Sequence, residues 1–453
     1  MKLRERAILF GLVALNLLLK LCWLGVNDVS HDEPFTLYWS QQPLEAFWSM
    51  LRTENNPPLY FLLIKAWSSM VPFDAAWMRV PAAVASAATV IPLHLMALRL
   101  SGRRAAITAS LLFTFSNYHF GFAHEVRAYA LFTLLATTGM WLLWFSSATT
   151  KRGPNWVFGL SVVDLLMVYT HFFGWLAIAV QGACVLAIPE LRPARRAFIR
   201  AMIVVLVGFS PYGLIFLGRM GQSVAHGTWV PPPVPEELYN MLWRWSNAPV
   251  IAILFTLLIA LASYFVRPHS PAFRTALIWS IAPLLGMFAI SYIVPMFLDR
   301  YLVYAAPGFA LLIALSIDLM PVGAKSRSGL AVLAIGGIAA TFNPGAKSVR
   351  QPSRVVQAVE ARCPQPCILR ITPSWYWLNY LAAEDLDQLK NDQSNLLTCG
   401  IRSPNGVTGR TALLVDATGS FGQARSLLAP EEGLAIIDSV EADHRVWVYW
   451  FGR

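Results

Sequence analysis

The chain has 453 residues, of which 56% are hydrophobic and only 13% charged, with a formal net charge of +10. That is more apolar surface than one soluble core can bury, which excludes an ordinary soluble protein and points to lipid as the solvent. The excess Lys and Arg fall in short clusters between apolar runs, where they orient helices, so nucleic-acid binding is discounted.

The basic segment 1–6 precedes an apolar run, 7–25, that is longer than the apolar core of a signal peptide. It lacks a small-x-small cleavage site and reads as a retained signal anchor. Further apolar stretches at 76–98, 105–123, 128–148, 156–171, 172–188, 198–217, 249–266, 275–295, 301–319 and 328–343 bring the expected total to about eleven transmembrane helices. The stretch 57–71 carries Lys65 and is short for a hydrocarbon core of about 30 Å. If it does not cross and the N-terminus is cytoplasmic, sixteen basic residues lie inside, against seven outside up to residue 343. Making it a span would put thirteen of the sixteen outside, so 57–71 is expected to lie in or against the outer leaflet.

An odd number of spans leaves 344–453 outside the cytoplasm. That tail combines helix-like 353–362, apolar 367–371, strand-like 411–416 and alternating 445–451. The expected fold class is therefore an all-α polytopic membrane domain, 1–343, followed by a small C-terminal α/β extracytoplasmic domain, 344–453. Cys22 and Cys184 sit in apolar runs as packing residues. Cys363, Cys367 and Cys399 lie in the tail, where an oxidising compartment would permit one disulfide among them.

Unusual polar residues gather at one membrane face in this topology. They are His31-Asp32-Glu33 in the first outer loop, His124-Glu125-Val126-Arg127, His171, and Asp299-Arg300-Tyr301. Adjacent acids after a helix can serve simply as a helix cap. Carboxylates converging with histidines and two arginines can also activate a hydroxyl and hold a phosphate. Asp164 and His94, deep in spans, read as packing residues held by neighbouring helices. The segment 218–244, with Trp229 and its run of prolines, reads either as a lid over an acceptor or as an inert loop.

Taken together, His31-Asp32-Glu33, Asn56-Pro57-Pro58-Leu59-Tyr60, Arg79-Val80-Pro81, His124-Glu125-Val126-Arg127-Ala128-Tyr129, Tyr169-Thr170-His171 and Arg300-Tyr301 resemble the GT-C membrane glycosyltransferases. The nearest branch holds protein O-mannosyltransferases, the lipid A aminoarabinose transferase and bacterial relatives. The resemblance covers roughly residues 1–320 and fades beyond them. It implies amphipathic helices in the first outer loop and an acidic pair facing a cavity where a polyprenyl-phosphate sugar meets its acceptor. Many bacterial relatives have His where this chain has Asn56.

On that resemblance Asp32 is the expected catalytic base, and Glu33 positions the acceptor or tunes Asp32. Arg300, then Arg127, with Tyr301, would bind the donor phosphate. His31, Glu125, Asn56, Tyr60 and His171 complete the expected substrate site. With a monophosphate and two arginines no cofactor is required, though His31, Asp32 and Glu125 could bind a divalent metal. The expected partners are a polyprenyl-phosphate sugar, a lipid, polysaccharide or protein acceptor, and membrane lipids. A bacterial inner membrane, with the tail periplasmic, fits the basic loops. The competing classes are a lipid-linked sugar flippase or transporter, marked by repeats and midplane polar sites, and a non-catalytic scaffold.

Overall fold

The computed structural model describes residues 2–54, 56–147, 154–226, 230–265, 270–362, 368–391, 401–402, 411–418 and 435–452. Cys363, Cys367, Cys399 and Trp229 lie outside the described residues, and with them the expected disulfide and part of the proline-rich segment. Two compact units result. Met1–Trp23, Ser49–Tyr60 and Val80–Pro344 form the first, and Leu24–Trp48, Phe61–Arg79 and Gly345–Arg453 the second.

From the N-terminus come α1 (Leu3–Leu21), three short helices α2 (Glu33–Gln41), α3 (Leu44–Thr53) and α4 (Pro58–Ser68), then α5 (Ala75–Ser101), α6 (Arg103–Thr114), α7 (Asn117–Phe122), α8 (Tyr129–Ser147), α9 (Pro154–Thr170) and α10 (Gly174–Ala187). A 3-10 turn at Pro189–Ala194 leads into α11 (Arg195–His226), followed by α12 (Glu236–Trp245), α13 (Pro249–Phe265) and α14 (Pro271–Ile290). A second 3-10 turn at Asp299–Leu302 precedes α15 (Ala306–Leu319) and α16 (Ala324–Ala340).

Local chemistry sets the breaks. Ser116 and Ser270 cap α7 and α14 by accepting the N–H groups of His119 and Phe273. Asn247 takes the left-handed conformation, φ 65°, between α12 and α13, a region that asparagine tolerates better than most residues. Its side chain bonds the Asn117 N–H and the carbonyls of Phe115 and Ile338 at 2.8 to 3.1 Å, which fixes a 95° bend between the two helices.

Among the described residues, α5, the stretch Pro189–Gly218 and α14 are long and apolar enough to cross a membrane, and the bent pair α12 and α13 is so only if its two helices make one span. Tyr129–Phe145, Asn155–Thr170, Gly174–Ala187 and Ala306–Leu319 are apolar but shorter. The chain is thus a multi-pass membrane protein, while the expectation of about eleven full spans is not matched helix for helix. Hydropathy windows run through breaks: the apolar stretch 301–319 holds a 3-10 turn as well as α15.

Helix α15 is the centre of the first unit. Every residue from Ala306 to Asp318 is buried, as expected of a helix apolar on all sides. It packs on α6, α13 and α14. Gly308 permits the approach to α14: a Cβ there would sit 2.8 Å from the Trp279 ring, whose indole N–H donates to the Tyr304 carbonyl at 2.8 Å. A second close approach joins α8, α9 and α10, where Gln181 donates to the buried Asp164 at 2.9 Å and a Cβ on Gly139 would sit 2.5 Å from Gln181 Nε2 and 3.1 Å from Asp164 Oδ1. Asp164 therefore links two helices, and His94 bonds Ser110 at 3.2 Å, the packing roles expected of them.

The second unit contains α17 (Pro352–Arg362), β1 (Ile368–Thr372), α18 (Tyr376–Glu384), α19 (Gln388–Asn391), β2 (Ile401–Arg402), β3 (Thr411–Asp416), β4 (Ala435–Asp443) and β5 (Val446–Gly452). The sheet order is β2-β1-β3-β5-β4, with β1 and β3 parallel and the other pairs antiparallel. Val355, Val359, Ile371, Tyr380, Val415 and Val448 meet in its core. Helix α2 packs against α18 and α19 within this unit.

Candidate active site

In the first unit the site is built at the seam between α9 and α10. His171 follows the last residue of α9. Its ring stacks on Phe132 at 5.0 Å, with 7° between the planes, and touches Tyr129, Phe173 and Tyr301 at 5.8, 5.6 and 5.8 Å. Nδ1 accepts the Phe173 N–H at 3.2 Å, which leaves Nε2 to carry the proton of the neutral ring. Tyr301 stacks on Phe173 at 4.4 Å, and the Arg300 guanidinium stands 5.7 Å from the Tyr301 ring centroid. Arg127 is buried, and both it and Arg300 act electrostatically on His171. Two guanidiniums, an imidazole and a phenol thus share one region floored by aromatic rings.

The surrounding contacts hold these groups in position. Asp299 pairs with Arg244, accepts the Arg300 backbone N–H at 2.8 Å through Oδ1 and the Tyr118 hydroxyl at 2.5 Å through its carbonyl. Glu125 contributes its carbonyl to the Arg127 N–H at 2.7 Å, forming a tight turn before α8. His124 bonds the Lys20 carbonyl at 2.8 Å and fastens that turn to α1. Asn56 directs its backbone N–H and its amide at Glu54 Oε1, at 3.2 and 2.6 Å, and its carbonyl accepts the Tyr212 hydroxyl at 3.1 Å. Tyr212 in turn stacks on Phe172, next to His171, at 6.3 Å. Tyr60 is buried on α4.

His31, Asp32 and Glu33 belong to the second unit. His31 is left-handed, φ 57°, a conformation that costs an L-residue roughly 1–2 kcal/mol and persists only where its surroundings hold it. Asp32 occupies the N-cap position of α2 at φ −95° and ψ −2°, and its side chain makes no capping hydrogen bond. The simple helix-cap role is therefore not the one it fills. Glu33 is buried and grips Arg79 through Nε–Oε1 and Nη2–Oε2 contacts of 2.9 and 2.8 Å. The remaining Arg79 N–H groups reach the carbonyls of Leu24, Asn27 and Asp28 at 2.7 to 3.0 Å. One guanidinium thus fixes the turn that carries Asp32, a fork geometry that lysine cannot copy. The sequence marked Arg79 only as part of a motif.

Lys65, the charge inside the apolar stretch 57–71, is also explained. It donates to the carbonyls of Ser40 and Gln42 at 3.2 and 2.6 Å, at the C-terminal end of α2 where a cation is favourable. Partial burial lowers its pKa. Among the described residues no three His, Cys, Asp or Glu side chains are grouped to hold a metal ion.

The sequence matches no protein-family model and no curated protein. Solved structures do match. ArnT from Cupriavidus metallidurans in the apo state aligns with a TM-score of 0.61 at 13% identity, over 97% of each chain. The same protein bound to undecaprenyl phosphate gives 0.60, again at 13% identity and over 97% of each chain. The archaeal oligosaccharyltransferase AglB from Archaeoglobus fulgidus, in complex with an inhibitory peptide and a dolichol-phosphate, gives 0.56 at 10% identity, over 84% of this chain and 64% of that one. The fold is that of the GT-C glycosyltransferases. The GT-C likeness to ArnT extends into the tail, beyond residue 320 where the sequence motifs give out.

Proposed function

We propose that this GT-C chain transfers a sugar from a polyprenyl-phosphate donor to an acceptor hydroxyl on the extracytoplasmic face of a bacterial inner membrane. The observation that carries this reading is the packing of His171 against Phe132 and Tyr301, with Arg300 beside Tyr301 and the charges of Arg127 and Arg300 both acting on His171. Arginine forks suit a phosphate monoester, and aromatic faces suit a sugar ring. Undecaprenyl phosphate in the similar ArnT structure supports the donor class.

In this mechanism the acceptor oxygen attacks the anomeric carbon as Asp32 takes its proton, and the bond from that carbon to the phosphate oxygen breaks. The phosphate departs with the electron pair, and Arg300 and Arg127 hold its growing charge. A positioned base contributes about a hundredfold to ten-thousandfold. Phosphate needs no acid to leave and two guanidiniums answer its charge, so the mechanism calls for no metal. Inversion at the anomeric carbon is what the family resemblance implies. About eleven membrane crossings, with the tail periplasmic, complete the proposal.

The test is transfer from radiolabelled polyprenyl-phosphate sugars by the protein purified into lipid, with a membrane extract as acceptor. The wild type should transfer one sugar class. Asp32→Asn should bind that donor and transfer nothing. A fully active Asp32→Asn enzyme would sink the assignment of the base. Movement of the lipid between leaflets without transfer would assign the chain to the flippases instead.

A further inference from the structure

The segment leading to Asp32 is held from one side by Arg79 and from the other by residues of the tail. Lys347 Nζ donates to the Val26 carbonyl at 2.9 Å, the Ser348 N–H to Asn27 Oδ1 at 2.7 Å, and the Ser353 N–H to Asp28 Oδ2 at 2.9 Å. A further contact comes from α18. Asn379, 3% exposed, donates through Nδ2 to the carbonyl of His31 at 3.2 Å. His31 is the residue in the left-handed conformation, and Asp32 follows it directly. Rotating the peptide between them would swing the Asp32 carboxylate and break the Asn379 bond together.

We propose that the C-terminal α/β domain is a positioning element for the catalytic base, with Asn379 holding the His31–Asp32 peptide in its reactive orientation. This rests on the reading of Asp32 as the base. Asn379 touches no reacting atom. It acts through the backbone, and a base displaced by an ångström loses much of its effect.

Two measurements on the full-length protein in lipid test this. Asn379→Leu removes the N–H donor and keeps the branched outline of the side chain, and Asn379→Gln restores an amide. Asn379→Asp, the same size without the donor, serves if the leucine variant does not fold. Steady-state transfer should show kcat lowered by about ten- to a hundredfold in Asn379→Leu, with the donor KM unchanged and partial recovery in Asn379→Gln. Hydrogen–deuterium exchange should quicken in the peptide covering residues 26–33 and stay constant in α15. Unchanged kcat, or unchanged exchange at 26–33, overturns the proposal. A wild-type protein that transfers no sugar defeats the glycosyltransferase reading, and exchange then decides separately whether Asn379 orders the turn.

Discussion

A guanidinium has five N–H groups, and Arg79 directs them to one carboxylate and three carbonyls, all within a buried turn. Removing one partner of such a pair strands the other, which typically costs about 3–5 kcal/mol. Arg79→Ala should therefore lower the denaturation midpoint and abolish transfer, and Arg79→Lys, which lacks the fork, should restore little of either. Arg300 belongs to a different class. It is partly exposed beside Tyr301, so Arg300→Ala should leave thermal stability near that of the wild type while raising the donor KM. A loss of stability equal to that of Arg79→Ala would make Arg300 structural. The adjacency of Asp32 and Glu33 was legible in the sequence, and so were the two arginines. The pairing of Glu33 with Arg79 was not, because the two lie 46 positions apart and no local pattern encodes it.

Helices report themselves in sequence by period and length, and their breaks by the residues that interrupt them. The strands 411–416 and 445–451 were legible through β-branched and aromatic alternation, and β3 and β5 form there. Strand β4 was not, because Asp438, Glu441 and Asp443 interrupt its apolar pattern at a position outermost in the sheet. Helix α18 is nine residues long and aromatic-rich, too short for its period to stand out. In the membrane unit the packing of α15 against α14 depends on the absence of a single methyl group. Gly308→Ala should cost about 1–3 kcal/mol by overpacking against Trp279, read as a lower melting temperature in detergent. Because the turn Asp299–Leu302 leads directly into α15, the same variant should weaken donor binding.

At the scale of the whole molecule, the proposed orientation rests on charge rather than on any one helix. An impermeant maleimide added outside intact cells should label Asp385→Cys, in the tail, and spare Ser326→Cys, in the first turn of α16. Both positions are exposed, so burial does not confound the result. The reverse pattern would invert the topology and move the proposed chemistry to the cytoplasmic face.

The second unit has a further consequence, one of timing. It is assembled from Leu24–Trp48, Phe61–Arg79 and Gly345–Arg453, so its earliest and latest pieces are separated by most of the chain. A ribosome makes Asp32 long before Asn379. Until Asn379 has been made, the nascent chain therefore carries Asp32 on a turn that nothing from the tail yet steadies. The interleaving acts as a clock, withholding the order of that turn until the tail has been made.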